Sequence, residues 1–147
     1  MKFLFAILFI SLNLNAREIN FSTNLKTISG NSLESYNLKD KILVFEWFNK
    51  GCPFVKKFYE SKKMQELQEK WTKNKNILWF SVVSSAQGKQ GHENLKQSQE
   101  TRKFWNIKSS DTIIDPEGKM GQLFGAKTTP HIFIIKNKKV LYEGAID

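Results

Sequence analysis

Residues 42–56 read ILVFEWFNKGCPFVK. Ile42 to Phe48 is a nearly unbroken apolar run, the pattern of a strand covered on both faces. After Asn49-Lys50-Gly51-Cys52 the spacing turns helical. Phe54 and Phe58, then Val55 and Tyr59, recur at four residues, and Met64, Leu67 and Trp71 extend the stripe, which predicts one helix over 53–73. Pro53 suits a first helical turn, where its missing N–H removes no intrahelical bond. Cys52 is thereby placed at a helix N-terminus, where free N–H groups and the helix dipole favour a thiolate, and Lys50 and Lys56 stand ready to add to the effect.

Outward from this junction the apolar period keeps switching between strand and helix, as in an α/β chain. Leu25 to Ile28 reads as an edge strand, Ile77 to Val83 as a strand, and Ser84 to Gly91 as a polar loop. A helix is expected over 93–105, with Leu95, Phe104 and Trp105 as its apolar residues, then a short strand at Thr112 to Ile114. Asp115-Pro116-Glu117-Gly118 is a turn signal. Met120 to Phe124 reads as a helical turn ending at Gly125, and Ile132–Ile135 with Val140–Tyr142 as a hairpin about Asn137-Lys138. The sequence closes at Asp147 just after a strand, where an open apolar sheet face calls for a covering helix. A C-terminally incomplete chain is therefore expected.

The N-terminus has Lys2, an apolar run from Phe3 to Ile10, and a short stretch ending in Ala16, the layout of a secretory signal peptide cleaved after Ala16. The run is too short to span a bilayer. Residues 17–147 then make one domain, which is exported to a periplasm or beyond the cell and meets the membrane only during export. The whole sequence of 147 residues carries a net charge of +9, in lysines clustered at 56–57, 62–63 and 136–139. No aromatic platform is interleaved with them, so nucleic acid is not an expected partner, and a solvated basic face favouring anionic surfaces is.

Export favours disulfides, yet Cys52 is the one cysteine. It is reactive, or it pairs with another molecule, or the chain is missing a partner cysteine. His92, His131 and Cys52 lack a compact metal-ligand spacing, and neither metal nor other cofactor is expected. Glu46, inside Phe45-Glu46-Trp47, should be desolvated, which raises a carboxyl pKa and suits proton transfer. His131, beside Pro130, is a candidate to assist the thiolate.

The stretch Glu46 to Lys56, together with Gly125-Ala126-Lys127-Thr128-Thr129-Pro130-His131 and the strand after it, and with Gly144 to Asp147, resembles the thioredoxin-like redoxin family, the group of alkyl hydroperoxide reductase and thiol-specific antioxidant proteins. The resemblance implies a thioredoxin-like fold, a central mixed sheet flanked by helices. It implies Cys52 as the attacking cysteine, Val55 in the place of a second cysteine, Glu46 as the buried acid, and Thr129-Pro130 as a cis-proline loop facing the sulfur and holding substrate. Asn49, where the peroxidatic pattern has Thr or Ser, departs from the peroxiredoxin form, and Arg102 is the one arginine beyond Arg17. Two functions stand at this point. One is a thiol-dependent oxidoreductase of the cell envelope, with Cys52 attacking a disulfide or peroxide and an external thiol as reductant. The other is a non-catalytic binding module using the basic face and the cis-proline groove.

Overall fold

A computed structural model describes residues 17–146, and the leader expected at 1–16 lies outside them. Five strands form one mixed sheet: β1 (Ile42–Trp47), β2 (Ile77–Val83), β3 (Asp111–Ile114), β4 (His131–Lys136) and β5 (Lys139–Gly144). Their order across the sheet is β3-β2-β1-β4-β5, and the expected central mixed sheet flanked by helices is present. β1 runs parallel to β2, with Ile42 opposite Ile77, and antiparallel to β4, with Trp47 opposite His131. The predicted hairpin is β4–β5, turning through Asn137 and Lys138, both at positive φ.

The central strand alternates its side chains between two cores. Phe45 and Trp47 join Phe80, Phe124 and Phe133 on one face. Val44 and Phe48 join Val55, Tyr59, Met64 and Trp79 on the other. This double burial is why β1 reads as a continuous apolar run. Helix α4 (Lys119–Phe124) sends Met120 and Phe124 into the first core.

The single helix expected over 53–73 is two: α1 (Pro53–Glu60) and α2 (Lys63–Thr72). Ser61 Oγ donates to the carbonyls of Lys57 and Phe58, and Lys62 follows at φ 62°, so the first helix is closed off and the second starts on a new axis. The apolar stripe is interrupted accordingly. Met64 is buried, Trp71 is 46% exposed, and Gln68 is fully buried. Helix α3 (Leu95–Phe104) is where 93–105 was expected, capped by a reciprocal pair in which Asn94 accepts from Gln97 N and Gln97 accepts from Asn94 N. Its apolar residues are not its buried ones. Leu95 and Phe104 face solvent while Ser98 and Thr101 face inward. The edge strand expected at 25–28 is not formed. Thr27 makes one isolated bridge to Ile113 and Lys26 another to Ser32.

Polar anchors fix the second edge of the sheet. Asp111 accepts from Ser29 Oγ and from Tyr36 Oη, each at 2.5 Å. Arg102 on α3 donates to Ser109 Oγ and to the Ser109 carbonyl.

The loop between β2 and α3 folds back onto the turn before Cys52. Asn49 Nδ2 donates to the Gln90 carbonyl at 3.3 Å, and Gln90 Nε2 donates to the Gly51 carbonyl at 3.2 Å. Two glycines permit this approach. A Cβ on Gly51 would overlap the Gln90 side chain, and one on Gly91, itself at φ +81°, would overlap the Asn49 carboxamide. Gly30, at φ +87°, has open space around its missing side chain. Gly30→Ala is therefore expected to lose only the backbone preference, about 1–2 kcal/mol. Gly91→Ala adds overpacking to that and should cost roughly twice as much in urea unfolding. Equal losses would mean that the loop does not depend on the close approach.

Candidate functional site

Cys52 is the N-cap of α1, with φ −75° and ψ 126°, at the carboxyl end of β1. Its Sγ is half-buried and donates to the Thr129 carbonyl at 3.1 Å. The Thr129–Pro130 peptide bond is cis, and the loop containing it lies across from the cysteine although it is 77 residues away in the chain. Cys52 and Thr129, which the resemblance set facing each other, are thus brought together. Pro130 is buried behind them.

Opposing effects act on the thiol. Burial of the sulfur disfavours its charge, and the Thr129 carbonyl favours the protonated form by accepting from it. The Thr129 side chain and the backbone N–H groups of Val55 and Phe54 favour the thiolate, and the balance holds the pKa below its ordinary value of 9.0. The helix terminus expected to stabilise charge thus acts through two identifiable N–H groups.

The lysines act differently from the sequence expectation. Lys50 Nζ is 3.2 Å from Glu93 Oε1, a carboxylate that is 1% exposed and that also accepts from Thr101 Oγ1. This ion pair ties the Cys52 turn to the segment leading into α3. Lys56 is exposed on α1, beside a cleft that it shares with Trp105. Neither lysine contributes to the shift at Cys52. His131 is buried against Phe133, with ring centroids 4.5 Å apart, and its Nδ1 accepts from Lys127 N at 3.3 Å. Burial lowers its pKa first; Glu143 raises it and Lys127 lowers it further. The face it occupies is that of Phe133, opposite to the core onto which Cys52 packs.

Glu46 is fully buried, as its sequence context implies. Tyr59 Oη donates to Oε1 at 2.7 Å, while Gln68 Nε2 at 2.9 Å and Trp79 Nε1 at 2.8 Å donate to Oε2. Desolvation raises its pKa above 4.5, and these three hydrogen bonds only partly offset it. Tyr59, buried beside the carboxylate, is pushed far upward. No hydrogen bond joins Glu46 to Cys52. The buried glutamines were missed in the sequence, where they read as the polar side of an amphipathic helix. Their only signal was spacing, since Gln65 and Gln68 lie three apart on the side of Met64. Val55, in the place of a second cysteine, is fully buried.

Beside Thr129 a groove of about 470 Å³ opens between Trp47, Ser84, Gly121 and Lys127. Its floor is a hydrogen-bonded chain. Trp47 Nε1 donates to Ser84 Oγ at 3.0 Å, and Ser84 Oγ donates to Asp115 Oδ2 at 2.6 Å, which also accepts from Gly121 N. Among the described residues no group of three His, Cys, Asp or Glu is arranged to hold a metal ion, and no helix is long and apolar enough to cross a membrane.

No protein-family model matches the chain, and no curated protein matches it by sequence. Solved structures do. An uncharacterized conserved protein from Geobacillus kaustophilus superposes with TM-score 0.76 at 18% identity, covering 90% of this chain and 69% of the other. A putative thiol:disulfide interchange protein DsbE from Chlorobium tepidum gives 0.66 at 17%, covering 90% and 86%. A secreted disulfide oxidoreductase from Mycobacterium tuberculosis, homologous to E. coli DsbE, gives 0.59 at 13%, covering 81% and 78%. The chain has the thioredoxin fold, and these neighbours agree with its resemblance to thioredoxin-like redoxins.

Two pH dependences follow from these environments. Cys52 alkylation should show a midpoint below 9.0, and Thr129→Val, which keeps the shape and removes the hydroxyl, should move it upward. A midpoint unmoved by the substitution would remove Thr129 from the control of the thiol. For Glu46 the folded pKa lies above the unfolded one. Its contribution to stability is therefore complete below about 4.5 and lost as pH rises through the folded value. Urea unfolding should record that decline, and Glu46→Gln, which has no proton to lose, should flatten it. An identical decline in the variant would assign it to other groups.

Proposed function

We propose that this protein is an exported thiol-disulfide oxidoreductase working through one cysteine. The observation that carries the reading is the Cys52 sulfur, half-exposed at the N-terminus of α1, favoured as thiolate and facing the cis Thr129–Pro130 loop. The thioredoxin-fold neighbours described as disulfide oxidoreductases support the same chemistry.

In the proposed reaction the Cys52 thiolate attacks one sulfur of a substrate disulfide. A new S–S bond joins Cys52 to that half, and the other half leaves as a thiolate that takes up a proton. Val55 offers no sulfur to complete the exchange. A second thiol, from another molecule or from a segment beyond residue 147, must attack the mixed disulfide, joining the substrate half in a new disulfide and returning Cys52 to the thiolate. Thr129 and Pro130 would hold the substrate backbone beside the sulfur, with the groove next to Trp47 receiving the flanking residues. Glu46 would serve as the buried acid beneath the site, its raised pKa suiting it to store a proton. Disulfides are preferred to peroxides as substrates because the two guanidinium groups are engaged elsewhere, Arg17 with Glu143 and Arg102 with Ser109. Neither is placed to polarise a peroxide at Cys52.

With excess chromogenic aromatic disulfide, the protein should release a single thiol equivalent and gain the mass of the other half, and Cys52→Ser should do neither. Val55→Cys should go on to release the second equivalent with no added reductant, because an internal thiol then resolves the adduct. A wild-type protein that forms no adduct, or that clears it unaided, would overturn the single-cysteine mechanism.

A further inference from the structure

The end of the sheet remote from Cys52 is a basic pole. The first residues of β1 and β2, the last of β4 and the first of β5 lie in one row, with Ile42 opposite both Ile77 and Lys136, and Lys136 opposite Lys139. The segments just outside this row carry Lys39 and Lys41, Lys73 and Lys75, and Lys136, Lys138 and Lys139. Their adjacency is direct, since Lys41 Nζ donates to the Lys75 carbonyl at 2.6 Å. All but Lys41 are exposed, and the acids that share this end are Glu18, Asp40 and Glu69. Among the described residues, only Lys73 of the seven is in an ion pair, with Glu69 at 3.8 Å.

An apolar groove of about 380 Å³ begins at the same end, on the sheet face between Ile42, Ile77, Ile134 and Tyr142, with Trp71 at its lip. Trp71 and Tyr142 are nearly half exposed, at 46% and 45%. Lysines beside exposed Trp and Tyr at the mouth of an apolar surface match the layered chemistry of a bilayer interface. Anionic headgroups there meet cations, and amphipathic rings settle at the boundary with the acyl chains. The first described residues pair with the start of β5 at this pole, where Ile19 N donates to the Lys138 carbonyl and Val140 N to the Arg17 carbonyl.

The geometry points to a second binding surface, a basic and aromatic pole that docks the domain on an anionic lipid bilayer and holds Cys52 facing away from it. The six-residue β1 separates the two ends by about 20 Å, so a docked domain keeps its sulfur open to partners. The thiol chemistry and the docking stand on different residues and are tested separately. Docking also extends membrane contact beyond the transient passage expected from the leader.

The test is co-sedimentation of the full chain with vesicles that are roughly one-third phosphatidylglycerol in phosphatidylcholine, against phosphatidylcholine alone. Binding is expected only to the anionic vesicles and should weaken as salt shortens the screening length. Replacing Lys75, Lys136 and Lys138 with Glu should reduce it by about two orders of magnitude, with the Cys52 alkylation rate unchanged. Replacing Lys57, Lys89 and Lys96 with Glu, the same change in net charge at the other end, should leave most of it. Brominated lipid should quench the fluorescence of bound protein, and Trp71→Phe should remove most of that quenching. Equal binding to neutral vesicles, equal loss in both triple variants, or quenching indifferent to Trp71 would each overturn the proposal. These outcomes would assign the affinity to residues 1–16, to overall charge, or to another orientation.

Discussion

A carboxylate in the middle of a sheet, sealed from water, organises this molecule. Glu46 receives Tyr59 from α1, Gln68 from α2 and Trp79 from β2, so one side chain gathers three elements that the backbone ladder alone would leave to apolar packing. Gln68 reaches further, donating to Tyr59 Oη and accepting from Lys108 N, and Gln65 fastens the start of α2 to the Tyr59 and Trp105 carbonyls. An unpaired charge at this depth would be costly. The three donors reduce the cost without abolishing it, which is why the carboxyl stays easier to protonate than in water. The position of α1, and with it of Cys52, depends on the arrangement because Tyr59 is part of that helix.

The cysteine is governed by short-range donors and not by the surrounding basic charge. For a chain with so many lysines this division matters. Lys50 is spent on Glu93 and Lys56 points to solvent, while the effective groups are two backbone N–H donors and the Thr129 side chain. Donors fixed in the backbone keep their aim when salt screens the surface, whereas a flexible lysine would not.

The sequence was most readable where burial is two-sided or the turn chemistry is strong. The run from Ile42 to Phe48 and the β4–β5 hairpin stand where their residues imply, Glu46 is as buried as its neighbours suggest, and the Thr129–Pro130 bond is cis as the resemblance implied. The break at Lys62 was hidden because Ser61 and Lys62 are ordinary helix-surface residues. The helix ends where Lys62 takes up a positive φ, which nothing in its side chain announces. Gln65, Gln68 and Glu93 were hidden for a related reason: a polar residue reads as exposed until its partners, distant in sequence, are known. Phe104 shows the converse, an aromatic residue of the expected helix that stands 82% exposed. Of the site itself, the meeting of Cys52 with Thr129 could be reached only through the resemblance, since no local pattern joins positions 77 residues apart.

The short pairing of Arg17 to Ile19 with the start of β5 bears on how the protein can be processed. β5 is an outer strand, and its free side would offer unpaired N–H and C=O groups to any other extended chain. The bridge from Glu18 to Lys139 and the bonds from Val140 N and Ile19 N occupy the first part of that side. A peptidase cutting just before Arg17 would leave this guard in place. One cutting a few residues later would remove it and leave the first part of that border open to pairing with another extended chain.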